Sequence, residues 1–283
     1  MRFLRLVGSV LALALVPGSG LAAGPWTPLC PGIEHASFEA CSKSDHDDSR
    51  ITIVRVDPAL ARLRLLSVSE LGLARPLRAR EWADRYDLAL VINAGMFATD
   101  WRTHVGYLKA SDGHTNSDKV MTDYKSVLAF GPRMAGIPPA TIADLEDTSI
   151  PRLSERYSTV IQNIRMVRSP GKVVWGASPR KWSEAATGID RSGRLLFIFC
   201  RSPYPMRVLS ECLLRLPLDL VAAQHLEGGG EATLLVRTPG LSQTLVGSYE
   251  THANDGATTP YVDLHEEFPL PIVLGVGACG PGK

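Results

Sequence analysis

Leu220-Val-Ala-Ala-Gln-His-Leu-Glu-Gly-Gly-Gly-Glu-Ala-Thr-Leu-Leu-Val236 is the stretch on which the reading of this chain turns. An apolar run ends in His225 and Glu227, three glycines follow, and Glu231 precedes a second apolar run. Each run has the length and β-branched or leucine content of a buried strand. Three glycines strip the turn of side chains, so a ligand can approach its amides closely. A plain hairpin needs one or two glycines, rarely three between carboxylates. The turn is therefore expected to be a site on rigid strands, with Gly228, Gly229 and Gly230 lining it.

Further strands are expected on either side of this turn. Ile51–Asp57 and Leu63–Val68 read as two strands joined around Asp57-Pro58, and Leu88–Ile92 as a buried strand running into Asn93-Ala-Gly-Met-Phe97. Val105–Lys109, Val127–Phe130, Ser158–Val167, Lys172–Trp175, Ala186–Ile189, Leu195–Cys200 and Pro271–Val276 complete the set. Pro76–Tyr86 and Pro205–Leu216 read as helices opened by proline. Residues 131–157 and 238–265 read as surface loops. Many strands, two main helices and no regular βα alternation imply an α+β fold with a mixed multi-stranded sheet core.

The first 23 residues read as a secretory signal: Arg2 and Arg5, an apolar core from Leu6 to Val16, then small residues up to Ala23. That core is too short to span a bilayer. The mature protein is expected to be secreted or periplasmic, with residues 24–50 as an N-terminal extension and 51–283 as one domain. A net charge of +1 gives no reason to expect nucleic acid as a partner. Five cysteines suit an oxidising compartment. Cys30 could close a loop with Cys41, and Cys200 could pair with Cys212, which leaves Cys279 over; the pairing stays open.

Several motifs fail on inspection. Gly275-Val-Gly-Ala-Cys-Gly280 imitates a dinucleotide fingerprint, but only three residues follow it, too few for the helix that would hold a pyrophosphate. Gly277–Lys283 likewise imitates a phosphate loop without its final Ser or Thr. Asp45-His-Asp-Asp48 reads as a solvated charge run. Glu184, Glu227 and Glu231 could offer oxygens to calcium, but not at a recognised loop spacing. Neither a metal nor another cofactor is expected.

Asn93-Ala-Gly-Met-Phe97, Gly106-Tyr107, Gln162-Asn-Ile-Arg-Met166, Gly188-Ile-Asp190 and Leu226-Glu-Gly-Gly-Gly230 occur in that order. In these motifs the chain resembles the phosphodiester glycosidase family over roughly Ile51 to Val276. The resemblance implies a hydrolase that releases a sugar, N-acetylglucosamine in the family's best-known reaction, from a phosphodiester. Its departures are acidic. Glu227 and Glu231 stand where the family has Asp and serines, and Glu184 falls at an arginine position. At ~4 Å and an effective dielectric near 20, two like charges cost about 4 kcal/mol, so an ionised Glu231 disfavours a phosphate lying against it.

That chemistry suggests roles. A departing phosphate needs a cation, for which Arg165 is the candidate. The oxocarbenium-like sugar needs a carboxylate, first Glu227 and then Glu231. Asn93 and Gln162 could orient hydroxyl or acetamido groups, with Gly95 in the same turn region as Asn93. Glu184 and His225 are further pocket candidates, and His225 and Glu227 would share one face of an ideal strand. The expected partner is a carbohydrate or sugar phosphate of the cell envelope. The alternative is a noncatalytic glycan-binding or assembly protein on the same fold.

Overall fold

The computed structural model describes residues 25–251, 258–260 and 267–280. The expected signal segment therefore lies outside the described residues.

The chain opens with a hairpin, β1 (Thr27–Cys30) and β2 (Ile33–Glu39), then β3 (Arg50–Val56) and β4 (Leu63–Ser67). Helix α1 (Ala79–Tyr86) leads into β5 (Leu88–Asn93), and the short β6 (Leu108–Lys109) and β7 (Thr115–Ser117) follow. β8 (Ser126–Pro132) and β9 (Ala140–Asp144) pair as a hairpin, and α2 (Ile150–Arg156) precedes the long β10 (Tyr157–Arg168). Next come β11 (Lys172–Val173), β12 (Trp182–Asp190), β13 (Leu195–Tyr204), α3 (Met206–Arg215) and β14 (Leu220–Gly228). A 3-10 turn (Gly229–Glu231) leads to β15 (Thr233–Thr238), β16 (Leu241–Val246), β17 (Tyr249–Thr251), β18 (Thr258–Pro260) and β19 (Ile272–Gly277).

Among the described residues the strands form one 14-stranded and one 5-stranded sheet. The spine of the larger runs β1-β2-β3-β13-β12-β14-β10-β6-β7, and the smaller runs β16-β15-β5-β19-β4. Alternation along the strands sorts the side chains into layers. Val54 and Val56 of β3, Leu195, Phe197 and Phe199 of β13, and Leu90 and Ile92 of β5 fill the space between the sheets. Ile51, Ile53, Leu196 and Ile198 face the other way, against Met206, Leu209 and Leu213 of α3. On the outer face of the small sheet, Val91, Leu235 and Val273 pack on Trp82 and Ala83 of α1. The result is helix, sheet, sheet, helix: α+β, but dominated by strands.

Several expectations are corrected. Residues 131–157 are no bare loop. They contain β9 and α2, whose Ile150 and Leu153 pack on Val127 and Val160. Ser149 caps that helix through the Arg152 amide, and proline sits in its first turn. Residues 238–265 contain β16, β17 and β18, with 252–257 and 261–265 outside the described residues. The strands on either side of Asp57-Pro58 are not partners. β3 pairs β2 and β13, whereas β4 pairs β19, so this turn carries the chain from one sheet to the other. Residues 24–50, expected as an extension, supply β1 and β2 to the large sheet. The disulfides are Cys30–Cys279 and Cys41–Cys212, and Cys200 is the buried free thiol. Of the pairings that the sequence leaves open, neither local one forms; the bridges cross the fold, because strand pairing brings distant segments together.

Candidate active site

β12, β14 and β10 lie side by side in the large sheet, and their ends form the floor of a cavity of about 300 Å³. β14 contributes His225, Glu227 and Gly228, β12 contributes Trp182, and β10 contributes Ile164. Trp175 and Arg180 come from the segment before β12, Met96 from the turn after β5, Glu231 from the 3-10 turn and Glu250 from β17.

The register between β12 and β14 shifts by one residue here. Ala186 faces His225, but Ala185 faces Glu227, which leaves Leu226 as the extra residue. Leu226 turns into the core between the sheets, while His225 and Glu227 both line the cavity. Such a bulge re-aims side chains at a strand end.

Glu184 is fully buried and lies behind His225, with Oε1 2.6 Å from Nδ1. Its other oxygen accepts a 2.8 Å hydrogen bond from Trp182 Nε1. Both oxygens thus hold neighbouring rings of the site in place. Trp175, Trp182 and His225 meet edge to face, with centroids 5.8–6.2 Å apart. Among the described residues His225 Nε2 has no hydrogen-bond partner, and the ring borders the cavity.

The electrostatics follow from this enclosure. Burial pushes the Glu227 carboxyl up to about 8, with Glu231 and Glu184 adding to the rise against the opposing pull of His225. Burial also raises Glu231, with Glu250 adding to it. Burial by itself would lower His225, but the charge and hydrogen bond of Glu184, joined by Glu227, outweigh it and raise the imidazole. Glu227 is therefore a protonated acid at neutral pH beside an imidazole that favours its cation.

The structure brings together Glu184, His225, Glu227, Gly228 and Glu231. It does not bring Arg165. Ile164 faces the cavity, so the next residue on β10 points to the opposite side of the sheet. There Arg165 binds Asp144 at 2.5 Å and Glu146 at 3.2 Å. Gln162 is also elsewhere. Its Oε1 accepts from the Tyr107 and Met121 amides, and its Nε2 donates to the Met121 and Tyr124 carbonyls, which uses its bonding capacity in holding loops.

Asn93 stands behind the site. It donates to the Glu231 carbonyl at 2.9 Å and accepts from the Thr233 amide at 2.7 Å, so it positions the acid-bearing turn. Gly95 has φ +149°, and a side chain there would collide with Asn163 and His104. Among the three glycines only Gly228 borders the cavity, and a Cβ on it would run into the Trp182 ring. Gly229 and Gly230 are buried, the former at φ +67°. Close packing accounts for Gly228, and left-handed backbone for Gly229.

The sequence reading omitted Met96, Ile164, Trp175, Arg180, Trp182 and Glu250. A signal existed for Trp182, which stands two residues before Glu184 on one strand and so on the same face. Trp175 and Glu250 carry no such local signal.

Comparison with known proteins agrees with this architecture. The solved structure of the zebrafish N-acetylglucosamine-1-phosphodiester alpha-N-acetylglucosaminidase catalytic domain, auto-inhibited by its pro-peptide, superposes with a TM-score of 0.59 at 14% identity, covering 87% of this chain and 84% of that one. A hypothetical protein from Synechocystis gives a TM-score of 0.50 at 12% identity, covering 87% of this chain and 62% of that one. A putative exported protein from Burkholderia pseudomallei gives 0.50 at 11% identity, with 81% and 74% covered. These likenesses establish the fold. No curated protein matches significantly. The sequence profile described as Phosphodiester glycosidase matches residues 86–276, which include β5, β10, β12 and the whole acid-bearing turn. On that match, and with the same fold in the zebrafish glycosidase domain, the chain belongs to the phosphodiester glycosidase family.

Proposed function

We propose that the protein is an exported hydrolase that releases a sugar from a phosphodiester of a cell-envelope glycan. The observation that carries this reading is the meeting, in one cavity, of two carboxyl groups, Glu227 and Glu231, beside His225, with burial pushing Glu227 up to about 8. Two like acids in one site do not ionise together, and in this reading Glu227 carries the proton.

In this scheme a water attacks the anomeric carbon while Glu231 takes the water's proton. The bond from that carbon to the leaving oxygen breaks, its electron pair going to the oxygen. Glu227 delivers its proton there. His225, oriented by Glu184, offers Nε2–H to the phosphate and takes the cation's role assigned to Arg165 on sequence alone. A protonated Glu227 also removes one of the charges that would repel the phosphate. Trp175 and Trp182 supply apolar walls for a sugar face. The two disulfides support an oxidising destination, as does the leader pattern of the first 23 residues.

The test is hydrolysis of an α-N-acetylglucosamine phosphodiester alongside chromogenic glycosides, with Glu227→Gln as control. Phosphodiester cleavage that collapses in the control supports the proposal. Cleavage of ordinary glycosides alone would reassign the leaving group. Saturable glycan binding without turnover would favour the noncatalytic alternative.

A further inference from the structure

A second and larger cavity, about 980 Å³, shares no lining residue with the first. It is lined by Arg75, Arg78, Arg80 and Trp101, with Glu81 and Glu267 among them. The turn after β5 joins the two places. Met96 borders the catalytic cavity, and Trp101 stands five residues on, at the tip of a hairpin closed by the Ala98 amide to the Thr103 carbonyl at 2.7 Å.

Trp101 is held in an unusual state. Its φ is +57°, a region that bulky side chains rarely adopt, and it remains 38% exposed. The tip around it is over-determined. Asp100 Oδ1 accepts from the Arg102 and Thr103 amides at 3.0 and 2.9 Å. Arg102 in turn donates to the Leu73 and Ala74 carbonyls at 3.1 Å, which pins the hairpin beside Arg75. Phe268 stacks on the indole at 5.2 Å and Phe97 braces it at the same distance. A fold that fixes an exposed indole in strained backbone points to a use for that surface.

The neighbours define the chemistry. Three guanidiniums arise within six residues, and Arg75 keeps 63% of its side chain exposed although it pairs with Glu81. Glu267 already shows what this wall accepts, since its carboxylate binds both the amide and the guanidinium of Arg80. Phosphate, like carboxylate, matches the arginine fork bidentately. An indole face suits the C–H face of a pyranose.

The geometry points to this cleft as a binding site for a phosphate-bearing saccharide, sugar against Trp101 and phosphate against Arg75 and Arg78. The site stands apart from the chemistry of the catalytic cavity and is measurable without turnover.

The test uses fluorescence titration of the Glu227→Gln protein, so that no probe is consumed. The probes are poly(glycerol phosphate) bearing N-acetylglucosamine, the bare polymer, and chitotetraose. The glycosylated polymer is expected to bind at least tenfold more tightly than either of the others. Trp101→Ala, and separately Arg75→Gln with Arg78→Gln, are expected to weaken it about tenfold, while Trp101→Tyr largely retains it. Thermal unfolding checks that each variant folds. In the otherwise native protein, Trp101→Ala should leave hydrolysis of a monosaccharide phosphodiester unchanged. No saturable binding of the glycosylated polymer, equal binding of chitotetraose, or affinity indifferent to Trp101→Ala would each overturn the site.

Discussion

Glu184 Oε1 lies 2.6 Å from His225 Nδ1, across two neighbouring strands and wholly inside the protein. Replacing Glu184 by Gln keeps a hydrogen-bonding group at that place and removes its charge. Burial, the largest influence on His225, then acts with less opposition, so the imidazole pKa should fall. An NMR titration of His225 reads this directly, and an unchanged pKa would mean another group controls it. Glu184→Ala should cost about 3–5 kcal/mol in urea unfolding, because half of a buried pair is left without its partner.

Turnover should depend on pH through Glu227. Its proton is held up to about pH 8, so activity should fall as pH rises through that value. Stability carries the same sign. A carboxyl whose folded pKa is raised from 4.5 to about 8 favours folding most below 4.5, and that contribution is lost as pH rises towards 8. The slope for one such group is about 1.4 kcal/mol per pH unit. Glu227→Gln should flatten both profiles, and a mutant that kept the basic fall in activity would remove Glu227 from the acid's role.

Arg165→Gln should leave kcat and KM within about threefold of the original. The loss should appear in stability, about 1–3 kcal/mol, since Asp144 and Glu146 lose a partially buried partner. A hundredfold fall in kcat with an intact fold would return Arg165 to the site.

Gly228→Ala tests the aromatic wall. The added methyl would meet the Trp182 ring and displace it, disturbing the Trp182–Glu184 hydrogen bond. Activity on the phosphodiester should drop at least tenfold, whereas thermal unfolding should shift by only a few degrees. Near-native turnover would mean Trp182 is free to move without consequence.

The acid-bearing turn was legible because its signals are local: two apolar runs, glycines between them, and carboxylates at fixed places. The helices after Pro76 and Pro205 were legible for the same reason, though each begins one or more residues beyond its proline. Arg165 shows where such reading stops. Alternation says that Ile164 and Arg165 face opposite ways, but only the pairing of Ile164 with His225 says which face holds the cavity. Gln162 and Asn93 were selected as polar groups able to touch a sugar. Their actual partners are backbone groups as far as 140 residues away, which no local pattern encodes. The α2 segment was hidden by its proline, glycine and acidic surroundings, although Ser149 before Pro151 carried a start signal. The cysteines paired across 249 and 171 residues, beyond the reach of spacing arguments.

The bridge between Cys30 and Cys279 makes nearly the whole described chain a covalent ring with both sheets inside it. A protease that clips any exposed loop between those residues opens the ring without dividing the molecule. Both pieces stay tethered, and the strands that pair across the cut can remain seated. Nicked protein should therefore run as one species on a non-reducing gel and separate only when thiol is added. Such a ring gives the protein tolerance to damage that would otherwise be final.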